Sequence, residues 1–236
     1  MRFLAAERRR QPEWMDQPDL DSQQHEHALR GLTRINAWSG AHRIFWPRLK
    51  ALCRAFPHRP LRVLDLASGA GDGVLRLWRR TERAGLSMQI DGCDRSLTAI
   101  TYAQRSAESR HANVHFFACD VLRDSLPTDY DVLINSLFLH HLDESDAVAF
   151  LRRSAEAAGR ALLISDLVRS RLGLILAYAA TRVLTRSPVV HFDGLISVRG
   201  AFDVAQVRAL AERAGLAGVS VARHWPCHML LSWTKS

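Results

Sequence analysis

The sequence predicts an α/β protein in which a mostly parallel sheet carries helices on both faces. From Leu61 onward, short apolar runs alternate with longer amphipathic segments, a pattern typical of parallel strands that are covered on both sides. A glycine-rich turn directly follows the first apolar run, as it does in doubly wound sheets that bind nucleotides. The 236 residues, 47% of them hydrophobic, suffice for one continuous core and do not indicate two independent domains.

Five strands and the helices between them follow in order along the chain. The strands are expected at residues 61–66, 88–93, 113–117, 130–136 and 160–166. The helices are expected at 74–84, 97–109 and 144–158, the last of which ends at Gly159.

The end of the chain adds one helix and two strands, which brings the expected sheet to seven strands. The helix covers 204–214 and stops at Gly215. The two apolar runs after it, 218–224 and 227–233, are separated only by Trp225-Pro226. This short separation predicts an antiparallel hairpin.

The most informative segment covers residues 61–73. Its apolar strand passes through Asp65 into a turn that contains Gly69, Gly71 and Gly73. Glycine lets the backbone bend sharply and approach a ligand closely, and the helix that follows directs its first N–H groups at the same crevice. The segment therefore predicts a nucleotide-binding turn.

This turn and four later motifs resemble those of the class I S-adenosylmethionine-dependent methyltransferases. The first motif of that family reads apolar, apolar, acidic, apolar, Gly-x-Gly-x-Gly, and Ala67 stands here in place of its first glycine. The later motifs are Asp94 after the second strand, Cys119-Asp120-Val121 after the third, Asn135-Ser136 after the fourth and Ile164-Ser165-Asp166 in the fifth. The resemblance covers roughly residues 61–233.

The resemblance implies a Rossmann-like sheet whose last strand is inserted antiparallel at the edge. It also implies S-adenosylmethionine as the cofactor and S-adenosylhomocysteine as the product. Asp65 and Gly69 to Gly71 would hold the amino acid part of the cofactor, Asp94 the ribose and Asp120 the adenine amino group. The other expected cofactor contacts are Ala67, Ser68, Arg95, Cys119, Val121, Asn135, Ser136 and His140.

Three other functions are weighed against this one. Nicotinamide dehydrogenases favour Gly-x-Gly-x-x-Gly, whereas this turn is Gly69-x-Gly71-x-Gly73. The formal charge of +8 suggests RNA as a possible substrate, because positive side chains bind phosphates. Most of the arginines, however, are spread at helical spacings, which is typical of solvated helix faces. A binding protein without catalysis remains an alternative because of Ala67. We therefore expect no nucleic-acid partner.

Two segments outside the sheet are candidates for substrate binding. Residues 1–58 are expected to form an N-terminal helical lid in front of a domain over 59–236, with packing alone as the alternative. Asp19 or Asp21 could cap the first lid helix, whose apolar stripe would include His25, Leu29, Leu32, Ile35 and Trp38.

The second segment is an insertion over residues 169–202. A strongly apolar helix is expected over 172–184, flanked by arginines and too short to cross a bilayer, so that it could serve as a lid or rest on a membrane surface. The stretch over 187–200 has loop chemistry and is expected to bring His191, Asp193, Ser197 and Arg199 together.

Methyl transfer needs an aligned acceptor and a group that removes its proton, and histidine is well matched to that task near neutral pH. His141 lies after the fourth strand, and His191 could be oriented by Asp193. For His141, capping of the next helix is the structural alternative. Arg199 could hold a phenolate, carboxylate or enolate. No His, Asp and Glu set shows metal-ligand spacing, so we expect no metal.

The expected acceptor is a small, largely apolar molecule, of aromatic or polyketide type. O-methylation of a phenol or enol is the leading interpretation, and C-methylation of a quinol ring is the alternative. Four scattered cysteines and the absence of a signal-peptide pattern in Met1 to Arg10 favour the cytoplasm. The oligomeric state is left open.

Overall fold

A computed structural model describes residues 7–17 and 21–235 of the chain. Seven strands form one sheet in the order β3-β2-β1-β4-β5-β7-β6. They are β1 Leu61–Leu66, β2 Met88–Asp94, β3 Phe116–Ala118, β4 Val132–Ser136, β5 Ala161–Leu167, β6 Ser220–His224 and β7 His228–Thr234. The first five pair in parallel, and β7 runs antiparallel to both β5 and β6. The predicted seven-stranded, mostly parallel sheet is confirmed.

Eight α-helices lie in the described part of the chain. They are α1 Ser22–Ser39, α2 Trp46–Ala55, α3 Asp72–Ala84, α4 Leu97–Glu108, α5 Glu144–Ala157, α6 Arg171–Leu184, α7 Pro188–Gly200 and α8 Val204–Arg213. No helix of residues 7–17 and 21–235 is long and apolar enough to cross a membrane.

The two faces of the sheet are buried against different helices, which follows from the alternation of side chains along each strand. In β1, Val63 packs into a cluster with α2, α3 and α4, whereas Leu64 packs into a second cluster with α5 and α8. Leu163 and Leu162 divide in the same way in β5. The sheet is therefore buried on both faces, as the apolar runs predict.

The order of the strands places the ligand crevice. Because β2 and β3 lie on one side of β1 and β4 lies on the other, the chain leaves β1 and β4 in opposite directions. The carboxyl ends of these two strands therefore flank a gap in the connections, which is where doubly wound sheets bind ligands.

The N-terminal segment begins its long helix at one of the two expected caps. The Asp21 carboxylate accepts hydrogen bonds from the backbone N–H groups of Gln23 and Gln24, both at 3.0 Å. The other candidate, Asp19, lies outside the described residues, as do the side chains of His25 and Trp38. The helix ends at Gly40, whose φ of 65° is the left-handed conformation that glycine favours.

The insertion contains a second helix where the sequence indicated a loop. Pro188 is compatible with the first turn of α7, where its missing N–H has no intrahelical partner, and Ser187 caps the helix through the Val190 N–H. Gly194 lets α6 come close, because a Cβ there would lie 2.6 Å from Cγ2 of Thr181. Pro188 therefore lies at the start of a helix, and Gly194 allows close contact between two helices.

Asp131 ties the amino end of β4 to neighbouring segments. Its carboxylate accepts two hydrogen bonds from the Arg59 guanidinium at 2.7 Å and one from Arg160 Nε at 3.1 Å, and it also accepts from the backbone N–H of Arg62 at 3.0 Å. Burial disfavours the charged carboxylate, but Arg59 and the other donors outweigh it and lower the pKa of Asp131.

Asp131→Asn should lower the free energy of unfolding by about 1–3 kcal/mol at pH 7, because a neutral amide replaces the carboxylate that accepts hydrogen bonds from two arginines. A carboxyl with a lowered pKa stabilises the fold above its unfolded pKa and loses that contribution as the pH falls through its folded pKa. Urea titrations at pH 7 and pH 3 should therefore show a smaller difference between variant and parent at pH 3. An equal difference at both values would contradict the assignment.

Candidate active site

A cavity of about 270 Å³ opens at the carboxyl ends of β1 and β4. Its floor is the turn after β1 together with residues that follow β4, including Asp65, Gly69, Ser136 and His141. Its other walls come from α1, α6 and α7 and from the N-terminal segment around Glu13. The two segments that the sequence placed outside the sheet thus both contribute to the walls of this cavity.

The turn after β1 has an unusual backbone that glycine only partly explains. Gly69 and Gly71 have positive φ values of 53° and 71°, and the same holds for Ala67 at 52°. A Cβ on Gly71 would lie 2.5 Å from Cζ of Phe116, so glycine is needed there for packing as well as for conformation. Ala67 therefore adopts the left-handed conformation with a side chain that disfavours it.

Three carboxylates, of which Asp65 is buried and Asp72 and Asp94 are half-buried, surround this turn. Asp65 is 3% exposed, and its Oδ1 atom has no hydrogen-bond partner among the described residues. Burial, together with the charges of Asp72 and Asp94, raises the pKa of Asp65 well above its ordinary value. Burial likewise raises the pKa of Asp72 to about 6. The carboxylates at the turn therefore favour the binding of a cationic group and would repel the pyrophosphate of a dinucleotide.

Asp94 supports the turn from the end of β2. Its Oδ2 atom accepts a hydrogen bond from the Gly69 N–H at 2.9 Å, and its Oδ1 atom accepts one from the Ser96 N–H at 2.8 Å. The other predicted contacts on this side lie at the same edge of the sheet but do not line the cavity: Arg95, Cys119, Asp120 and Val121. The ribose and adenine roles implied for this side stay proposals.

Asn135 does not line the cavity. It is fully buried, and its Nδ2 donates a hydrogen bond to the Leu66 carbonyl at 2.7 Å. This amide joins the end of β4 to the end of β1, and the cofactor contact expected at this residue stays a prediction. Ser136, the next residue, does line the cavity.

His140 is held by a carboxylate on the neighbouring strand. It is 5% exposed, its Nδ1 lies 2.7 Å from Oδ1 of Asp166, and its backbone N–H donates to Oδ2 of Asp166 at 3.0 Å. Burial disfavours the imidazolium, but Asp166 and Glu13 outweigh it and raise the pKa of His140 to about 10. His140, a predicted cofactor contact, lies on the cavity wall between the carboxylates of Asp166 and Glu13.

Glu13 joins His140 and His141 in what we call the Glu-His-His cluster. Its Oε1 atom lies 3.6 Å from Nε2 of His140 and 3.7 Å from Nε2 of His141. Ser197 donates a hydrogen bond to the same oxygen at 2.5 Å. Burial opposes ionisation of Glu13, but His140 and His141 outweigh it and lower the pKa of the carboxyl.

The N-terminal segment that carries Glu13 is fastened across the insertion. Asp193 accepts hydrogen bonds from the backbone N–H groups of Trp14 and Met15 at 2.8 and 3.1 Å, and the Trp14 ring stacks on Phe192 at 4.4 Å. Arg8 donates to the carbonyls of Gly200 and Leu142 at 2.6 and 2.5 Å. Sequence reasoning missed Glu13 because it stands in a polar, arginine-rich stretch with no periodicity.

The predicted pairing of His191 with Asp193 is wrong. Residues two apart on a helix point to different sides, and α7 turns Asp193 toward the N-terminal segment. Nε2 of His191 lies instead 2.9 Å from the Thr185 carbonyl oxygen. Arg199 is exposed, and neither it nor His191 lines the cavity, so their predicted catalytic roles are withdrawn. His141 lines the cavity and keeps its proposed role.

The chain is similar to known methyltransferases. Residues 63–158 match a family model described as a methyltransferase domain. The demethylmenaquinone methyltransferase of Thermus thermophilus is 32% identical over 119 residues, which cover 50% of this chain and 52% of that protein. The chain spans about half the length of the curated relatives it matches.

Solved structures share the fold. Magnesium protoporphyrin IX methyltransferase from Synechocystis PCC 6803, crystallised with S-adenosylhomocysteine, matches with a TM-score of 0.56 at 21% identity, over 84% of each chain. An O-methyltransferase family 2 protein from Planctomyces limnophilus, in complex with apigenin, matches with a TM-score of 0.54 at 18% identity, over 74% of this chain and 50% of that one.

Ala67→Gly should leave the free energy of unfolding unchanged or raise it by up to about 1.6 kcal/mol. Relief of the left-handed strain is worth about 1–2 kcal/mol, and the added freedom of the unfolded chain offsets about 0.4–1 kcal/mol of it. The matched control is Ala179→Gly on the exposed side of α6, which should lower stability by about 1 kcal/mol. Equal losses in both variants, measured by urea unfolding, would show that Ala67 is not strained.

Proposed function

We propose that this chain, which has a methyltransferase domain over residues 63–158 and the fold of class I S-adenosylmethionine-dependent methyltransferases, transfers a methyl group from S-adenosylmethionine to a small, largely apolar acceptor. The observation that carries the proposal is the buried Asp65 carboxylate beside the glycine turn, one oxygen of which has no hydrogen-bond partner among the described residues. S-adenosylmethionine brings an ammonium group and a sulfonium, both cationic, whereas a dinucleotide brings phosphates.

The residues of the turn fit the methionine end of this cofactor. Asp65 and Asp72 would hold the ammonium group, and the start of α3 offers N–H groups to the cofactor's carboxylate. Asp94 would hold the ribose, as the resemblance implies. When bound, the cofactor supplies an electrophilic methyl group, so the protein has to align the acceptor, exclude water and remove a proton.

The acceptor would occupy the part of the cavity that lies away from the turn. Leu29, Leu32 and Ile35 of α1 face Leu176 and Ala180 of α6 across it, and all of them are apolar. An apolar wall of this kind favours an aromatic or polyketide-like molecule and excludes water from the reacting atoms. The lid role of the N-terminal segment and the insertion belongs to this proposal.

The polar end of the acceptor would meet the Glu-His-His cluster. His141 has the most exposed side chain of the three, at 23%, against 5% for His140 and 10% for Glu13. We therefore assign contact with the acceptor's oxygen to His141 and loss of its proton to the cluster as a whole. O-methylation of a phenol or enol is the reaction that this arrangement supports best.

C-methylation of a quinol-type ring is the second candidate. The similarity to a demethylmenaquinone methyltransferase favours it, because that name describes a quinone acceptor. Both reactions need the same cofactor and loss of a proton from the acceptor. Mass spectrometry with fragmentation of the product distinguishes an added methoxy group from an added ring methyl group.

His141→Ala should lower turnover about 100-fold or more while the affinity for S-adenosylhomocysteine stays the same, because the cofactor turn is untouched. Turnover would be followed with a panel of phenols, enols and quinols. The control is His58→Ala, which removes an exposed imidazole elsewhere. Full turnover in His141→Ala would remove this residue from the reaction.

Binding of S-adenosylhomocysteine should weaken as the pH falls from 8 to 5. The ammonium group of this ligand prefers ionised carboxylates, so its binding must release the protons that the raised pKa values of Asp65 and Asp72 retain in the free protein. Calorimetry in buffers of different ionisation enthalpy measures this proton release. In Asp72→Asn the dependence near pH 6 should flatten, and an affinity independent of pH in the parent protein would contradict the proposed ion pairs.

A further inference from the structure

The Glu-His-His cluster presents three different side chains to one point. One ligand atom from each of Glu13, His140 and His141 lies within 4.8 Å of the other two. The carboxylate oxygen is 3.6 and 3.7 Å from the two Nε2 atoms, which is longer than a good hydrogen bond. The three groups therefore converge on one point of the cavity wall.

Those distances are close to the ones that a bound ion would require. A tetrahedral Zn²⁺ with bonds of about 2.0–2.1 Å has its ligand atoms about 3.4 Å apart. Small side-chain rotations would bring the Glu13 oxygen and the two imidazole nitrogens to that spacing. Two imidazoles and one carboxylate are also a ligand set that catalytic zinc sites use, with a fourth position left open.

The groups behind the cluster are those that support metal ligands. The Nδ1 atom of His140 lies 2.7 Å from Oδ1 of Asp166, so Nε2 is the nitrogen that could bind an ion. Metal-binding histidines are commonly held in this way by a carboxylate on their other nitrogen. Ser197 donates to the Glu13 carboxylate. Such second partners fix the orientation of a ligand before the ion arrives.

Charge and access also fit a cation. Glu13 and Asp166 are both buried, at 8% and 1% exposure, and stand on opposite sides of His140. A dication that displaces the His140 proton and lies between Glu13 and the imidazoles would balance these two negative charges. All three ligand residues line the cavity, so a fourth position could open toward the acceptor.

We propose that the Glu-His-His cluster binds one divalent transition-metal ion, such as Zn²⁺, through Glu13, His140 and His141, with an oxygen of water or of the acceptor in the remaining position. This revises the metal-free expectation, in which Glu13 was not considered. The site goes beyond the proposed methyl transfer, and with an ion bound it is the ion, held by His141, that would contact the acceptor's oxygen. An oxygen bound there would be more acidic than the same oxygen in water.

Cobalt(II) is a suitable probe because it replaces zinc and absorbs visible light. Tag-free protein would be stripped with a chelator, dialysed and titrated with Co²⁺ by absorption spectroscopy and with Zn²⁺ by calorimetry. The parent protein should bind one equivalent of each ion. Glu13→Gln and His141→Ala should lose at least about 100-fold in affinity, and Asp166→Asn should lose about 10–100-fold because it removes only the support of a ligand.

His58→Ala is the matched control, since it removes an exposed histidine outside the cluster and should bind like the parent. Thermal melting of each stripped protein checks that it is folded. Absence of stoichiometric Co²⁺ and Zn²⁺ binding by the parent, or equal binding by Glu13→Gln and His141→Ala, would overturn the site. Calorimetry with S-adenosylhomocysteine on the same samples tests the proposed function separately, since that ligand binds at the turn.

Discussion

The burial of the Asp65 carboxylate at the turn after β1 is the constraint on which the rest of the site depends. An ionised carboxylate in an apolar interior is strongly disfavoured unless a positive charge or hydrogen bonds accompany it. Asp94 has hydrogen bonds from the turn itself, whereas one oxygen of Asp65 has no partner among the described residues. Burial therefore raises the pKa of Asp65 at the point where the strand connections diverge, and a cationic group bound there would favour the ionised carboxylate in place of the proton.

The remainder of the cavity divides into an apolar part and a second charged part. Helices α1, α6 and α7 supply aliphatic side chains, and the N-terminal segment brings Glu13 to the two histidines that follow β4. Asp193 on α7 anchors that segment through the backbone of Trp14 and Met15. Asp193, which the sequence predicted to orient His191, thus helps to place Glu13 in the cavity.

What could be predicted from the sequence was mostly local. The strands, the turn and the helices around the sheet follow from apolar periodicity and glycine placement, and their bounds agree within a few residues. The turn predicted the location of the cavity because its residues are contiguous. Asp21 could be named as a cap because capping depends on neighbours in the chain.

The errors arose where chemistry depends on packing between distant segments. Pro188 and Gly194 are typical of loops, but in α7 they fit a helix start and a close contact with Thr181. That helix separates His191 from Asp193 and leaves Arg199 exposed. Glu13 meets His140 only in the folded chain, so its place in the cavity could not be assigned from a linear pattern.

We propose that the turn after β1 receives the ammonium end of an S-adenosyl cofactor and no dinucleotide. The most direct test is calorimetric titration of the purified protein with S-adenosylhomocysteine, with NAD⁺ and NADP⁺ titrated in parallel at pH 8. We predict micromolar binding of S-adenosylhomocysteine and no heat of binding from either dinucleotide. Dinucleotide binding without S-adenosylhomocysteine binding would contradict the account.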